Sequence, residues 1–156
     1  MKIIFLLLLL IGCTAPPVVT RDLWTGNTLA VTKAYEISRT LDAIVEVRPV
    51  IGNIDGVMRY AVLTNVRRLD QNGPRIDRIT TTSEPLDYRR HDRLRTHCID
   101  GCRFAEIGAI HLDVSAFEDA SKQGLALRIW GKRGRYEGTI PADAFQTALL
   151  NARYLN

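Results

Sequence analysis

The stretch from Val57 to Leu69 constrains the fold more than any other part of the chain. Met58, Tyr60, Val62 and Val66 fall on one parity, and Arg59, Asn65 and Arg67 fall on the other. Side chains of an extended strand alternate between its two faces, so this pattern describes a strand with one apolar and one wet face. Such strands belong to antiparallel sheets, and the apolar face requires a second layer to cover it.

Neighbours for that strand can be read on both sides. Ala43 to Val47 predicts a strand ended by Pro49, with turns at Gly52-Asn53 and Asp55-Gly56. Asp70 to Pro74 is a polar turn. Arg75 to Thr82 predicts a more exposed strand carrying Ile76 and Ile79, closed by Pro85. Arg103 to Val114 is apolar but breaks its own alternation: Ala105 and Ile107 share one parity, Ile110, Leu112 and Val114 the other. A bulge near Gly108 would return all five to one face, because one extra residue shifts the pleat. Leu125 to Trp130 and Arg135 to Ile140 form a hairpin across Gly131-Lys132-Arg133-Gly134.

Three helices are expected among these strands. From Asn27 to Asp42, the residues Leu29, Ala34, Ile37 and Leu41 recur at helical spacing, with Asn27 or Thr28 as a cap. Ser115 to Glu118 fits a capping box, in which the Ser hydroxyl and the Glu carboxylate each satisfy a free helix-end amide; Gly124 ends that short helix. Pro141 suits a first helical turn, and Phe145, Ala148, Leu149 and Ala152 form the stripe of a closing helix. The expected fold is therefore α+β: an antiparallel sheet or small β-sandwich with a helix near the mature N-terminus, a short connecting helix and a C-terminal helix.

The leader carries a different kind of information. Met1-Lys2 precedes an unbroken apolar run from Ile3 to Ile11, followed by Gly12-Cys13. A spanning helix needs about 20 apolar residues, and this run has far fewer, so it reads as a secretory signal. Leu10-Ile11-Gly12-Cys13 resembles the lipobox of bacterial lipoproteins. That resemblance implies cleavage before Cys13 and acylation of its thiol, and two or three acyl chains hold a protein at a membrane essentially permanently. Lipoprotein signals followed by a residue other than Asp resemble those sent to the outer membrane, and Thr14 occupies that position. The expected organisation is a signal peptide over 1–12, a lipidated tether over 13–26 and a globular domain over 27–156. Pro16-Pro17 suit an extended tether, and Trp24 can either pack on the domain or sit at the lipid headgroups.

With Cys13 consumed by lipid, Cys98 and Cys102 remain, and an exported compartment is oxidising, so a disulfide is expected between them. Asp100-Gly101 is a turn signal that would place the thiols on opposite sides of a tight loop. In a helix, the same spacing would hold the Cβ atoms about 5–6 Å apart, wider than the ~3.8 Å typical of a disulfide. Metal is the competing reading. His91, His97, Cys98, Cys102 and His111 offer nitrogen and sulfur ligands, but their spacing fits no standard zinc signature, and oxidation would remove two of them.

Asp87 to Arg95 is the densest charge cluster. Arg89, Arg90, Arg93 and Arg95 are the possible anion or partner contacts, because guanidinium forks match phosphate oxygens. Asp87 and Asp92 interrupt the run, which equally suits a solvated strand or loop. The mature chain carries a formal charge of about +3 once Lys2 is removed from the +4 total, and this excess names no partner. G-x-S-x-G, H-E-x-x-H and phosphate-binding glycine loops are absent from the sequence. Glu106 and His111 facing each other across the expected bulge are the remaining acid–base pairing. The expectation is a non-catalytic accessory or interaction module of the envelope with no cofactor. Its partners would be the membrane, through Cys13, and another envelope protein or an anionic envelope component rather than nucleic acid. A metal-dependent or histidine-using envelope enzyme is the alternative.

Overall fold

The computed structural model describes residues 18–21, 26–68, 74–96 and 103–155. Among these described residues, ten strands and two helices follow in chain order: β1 (Val18–Arg21), β2 (Thr28–Val31), β3 (Tyr35–Arg39), β4 (Ala43–Ile54), β5 (Val57–Arg68), β6 (Ile76–Thr80), β7 (Asp87–Thr96), β8 (Arg103–Leu112), α1 (Val114–Gln123), β9 (Leu125–Gly131), β10 (Gly134–Ile140) and α2 (Ala142–Ala152). They form two antiparallel sheets. The larger runs β1-β2-β4-β5-β8-β7, with β3 also on β4; the smaller runs β10-β9-β6.

The amphipathic strand read from the sequence is β5, at the centre of the larger sheet. Asp55 and Gly56, both at positive φ, close the hairpin that pairs it with β4 from Ile54↔Val57 to Ala43↔Arg68. Two helices and the smaller sheet share the task of covering the apolar face. Toward the hairpin tip, Phe117 of α1 and Phe145 of α2 stack edge to face at 5.0 Å, and Tyr60 of β5 lies 5.4 Å from Phe117. Toward the other end, Ile79, Leu127, Ile129 and Tyr136 of the smaller sheet join Val45, Val47 and Val66 in the same buried cluster. No helix among the described residues is long and apolar enough to cross a membrane.

The helix expected over Asn27 to Asp42 is not formed. Its place is taken by β2 and β3, which lie end to end along one edge of β4. Thr28, Ala30 and Thr32 alternate as buried positions, whereas Leu41, one of the four residues that set the helical spacing, is fully exposed. The β-branched Thr28, Val31, Thr32 and Ile37 favour the pleated edge that β4 offers. Val18–Arg21, within the stretch read as tether, pairs with β2.

Pro49 does not end its strand, and Gly52-Asn53 is no turn; β4 runs through both to Ile54. Proline lacks a backbone donor, so its place in a sheet depends on which side needs one. The Pro49 carbonyl accepts from the Thr32 hydroxyl at 3.0 Å. In an antiparallel strand the N–H and C=O of one residue point the same way, so the missing donor faces the 32–34 break between β2 and β3. The run of β2 and β3 along β4 is interrupted where Pro49 has nothing to give.

The bulge expected at Gly108 is also displaced. β8 pairs with β5 without a slip from Phe104 to Leu112, and the irregularity lies across from it, where β7 shifts between Arg90 and Asp92. Gly108 serves close packing instead: the Tyr88 ring occupies the space where a Cβ would stand. The cap of α1 is Asp113 rather than Ser115. Its carboxylate accepts from Ala116 N–H at 2.7 Å and from the Ser115 hydroxyl at 2.8 Å, and these bonds hold it below the usual carboxylate range. Gly124 ends α1 at positive φ as expected. Pro141 sits at the N-cap of α2, one residue earlier than expected.

Candidate functional site

Cys13, His97, Cys98 and Cys102 lie outside the described residues, so the lipidation and disulfide positions have no geometry here. What is fixed is the frame around the two later cysteines. β7 and β8 stay paired up to Thr96↔Arg103, and residues 97–102 connect them.

The four arginines all belong to β7, the strand that ends the larger sheet. Alternation separates Arg89 from Arg90. Arg89 shares a face with Asp87, whose carboxylate it engages at 3.2 and 3.4 Å, both side chains being exposed. Arg90 is exposed on the parity of Tyr88. Past the bulge at His91, Arg93 stands in register with Glu106 and Arg95 with Phe104. The cluster is thus distributed along a strand and split between two faces.

The described histidines do not converge. His111 is half-buried opposite Asp87, and His91 is exposed at the bulge. Four residues of strand, about 13 Å at the usual rise, separate the level of His91 from that of Asp87. Glu106 and His111 do not face each other either: they are five residues apart on an unbroken strand and therefore point to opposite sheet faces. Among the described residues, no three His, Cys, Asp or Glu side chains gather into a metal-holding group.

Glu106, paired with His111 in the sequence reading, instead belongs to a polar cluster at the end of the core remote from the hairpin tip. Glu106 has no solvent exposure. Its Oε1 accepts from Ile76 N–H at 3.1 Å and from the Tyr88 hydroxyl at 3.3 Å. Burial, and then the field of Glu106, push the Tyr88 phenol well above its ordinary range, so it stays protonated and donates. Arg68 lies at the same end of the neighbouring strand. Its guanidinium donates to Arg133 O at 2.9 Å, Tyr136 Oη at 3.2 Å and Asp42 Oδ2 at 2.9 Å. Together these groups tie the β3–β4 turn, the β9–β10 turn, β6 and β7 to the centre of the larger sheet. Parity was the available signal, since Arg68 continues the apolar register of Val62 and Val66, and Glu106 that of Ile110.

Open depressions mark the surface of the described residues, and one of about 290 Å³ is lined by Arg128 and Glu137 among others. A second of about 410 Å³ is lined by Thr81, Ser83, Gly124, Leu125 and Thr139 among others, none of them titratable. Another of about 210 Å³ is lined by Glu46, Arg48, Leu63 and Ile107 among others. On the smaller sheet, Trp130 is flanked by the guanidinium groups of Arg78 at 5.0 Å and Arg135 at 4.4 Å, a cation–π arrangement. Comparison of the chain with family models, with curated proteins and with solved structures found no match.

Proposed function

We propose that this chain is a lipid-anchored protein of the bacterial cell envelope. Acyl chains on Cys13 hold it, and its domain acts as a non-catalytic accessory or interaction module on the periplasmic side of the outer membrane. The observation that carries this reading is Leu10-Ile11-Gly12-Cys13 directly after a short apolar core. Thr14 supports the outer-membrane destination. The described histidines, His91 on β7 and His111 on β8, lie apart, and the depressions at the surface are open, which supports the non-catalytic part.

Replacing Cys13 with Ala should move the protein out of the membrane fraction, or leave it unprocessed at full length. The same mature mass in both proteins, both membrane-bound, would contradict the anchor. The arginine-bearing strand β7 is the proposed contact surface for an envelope protein or an anionic envelope component, since it ends its sheet. Crosslinking in intact cells should lose bands when Arg89, Arg90, Arg93 and Arg95 are all changed to Ser. An unchanged pattern would remove β7 from the proposal.

A further inference from the structure

The larger sheet has two ends, and they differ in what they expose. At the β4–β5 hairpin tip, Ile54 is 36% exposed, Val57 49% and Met58 41%. Ile54 and Val57 pair across the hairpin and share a face, while Met58 takes the other, so the tip is apolar on both sides. The same end gathers further apolar groups. Val114, 48% exposed, is two residues past Leu112, the last residue of β8, which pairs with Tyr60. Tyr154, 62% exposed, is brought there by the bond from the Thr28 hydroxyl to Leu155 O at 3.3 Å, Thr28 being paired with Asn53. Arg21, Arg59 and Arg153 are exposed around this patch. At the opposite end, the exposed large apolar residue among the described ones is Leu41, in the β3–β4 turn.

Chain length decides which end the anchor can reach. Cys13 precedes Val18 by five residues, which span at most about 17 Å when fully extended. Val18 pairs with Val31, and Val31 with Val50. From the level of Val50, Ile54 is four residues along β4, about 13 Å, whereas Ala43 is seven residues the other way, about 24 Å. β1 runs toward the tip, so the tether must turn back on leaving Val18; once turned back, its span covers the roughly 13 Å to the tip, whereas even fully extended it falls short of the roughly 24 Å to the other end.

Resting on the lipid-anchor reading, we infer that the hairpin tip is a membrane-contacting surface that seats the domain on a bilayer carrying anionic phospholipid. Ile54, Val57 and Met58 enter the headgroup region, and the surrounding arginines meet the phosphates. The Asp55 carboxylate at the apex keeps the contact at headgroup depth, because carrying it into the hydrocarbon would strip its water.

The methionine content supplies a direct test. Met1 leaves with the signal, so Met58 is the only methionine of the mature chain. The full chain is expressed with a diazirine analogue of methionine. The purified protein is then reconstituted in vesicles of phosphatidylethanolamine and phosphatidylglycerol, irradiated and digested. Phospholipid adducts are expected on the peptide carrying residue 58, with loss of those adducts in Val57→Asp and a clear reduction in the milder Ile54→Thr. In a Leu41→Met variant, position 41 should carry water adducts only. Water adducts alone at residue 58, adducts to a second copy of the chain, or equal lipid labelling at 41 and 58 would each overturn the seating. The same digest reports the N-terminal peptide. Acylation at Cys13 without lipid adducts at 58 defeats this inference and leaves the anchor standing, whereas an unacylated peptide defeats the anchor and the seating with it.

Discussion

Glu106 is a carboxylate in the middle of an apolar strand, fully removed from water and held by a backbone amide and a phenol. A buried polar group left without its partner loses its hydration with no return, at a cost of about 1–3 kcal/mol. Tyr88→Phe removes one of those donors and should lower stability at neutral pH by an amount in that range. The pH dependence distinguishes the phenol from simple packing. The folded protein raises the Tyr88 pKa, favouring the neutral form. Its contribution is therefore fully present below the unfolded value near pH 10 and is lost as pH rises above it. Denaturation midpoints should fall more steeply above pH 10 in the wild type than in Tyr88→Phe. Parallel slopes in the two proteins would show that Tyr88 is free to ionise. Arg68 and Glu106 were legible only in part. Their parity matched the core face, but a charge on a core parity usually marks a strand end, and only the packed structure brings β6, β7 and two turns onto them.

Gly138 shows what holds one element to another. An added Cβ there would overlap the carbonyl oxygen of Ile37, so the smaller sheet meets β3 by a close backbone approach that no side chain permits. Gly138→Ala must push β10 from β3 and should destabilise by about 2 kcal/mol or more, against no more than about 0.5 kcal/mol for exposed Thr139→Ala. Equal effects, read from denaturant unfolding, would mean that the two sheets do not meet at this point. Elements with a strict two-residue period, β5 and the β9–β10 hairpin, were readable because each has one wet face. β2 and β3 were not. In short segments beside Pro49, helical and strand periods share the same apolar residues, and pairing with β4 decides between them. Likewise, the mixed parity of β8 suggested a bulge. β8 lies between two strands, with Ala105 and Ala109 buried on one face and Ile110 on the other, so both parities are apolar without a slip.

At the scale of the molecule, the antiparallel architecture and its two later helices followed from the sequence, but the choice between one sheet and a two-sheet sandwich did not. Which strand covers which depends on contacts such as β10 with β3 that no local pattern records. The proposed function rests on the N-terminus, where Leu10-Ile11-Gly12-Cys13 resembles a lipobox. The central claim is that Cys13 becomes an acylated first residue, and the intact mass of the membrane-extracted chain tests it most directly. Alkylation without reductant before the measurement also reads Cys98 and Cys102, which should take up no reagent if they are joined. The predicted result is residues 13–156 carrying the added mass of two or three acyl chains with their glyceryl linkage. A full-length chain, or a processed one whose Cys13 thiol is free to alkylate, would contradict it.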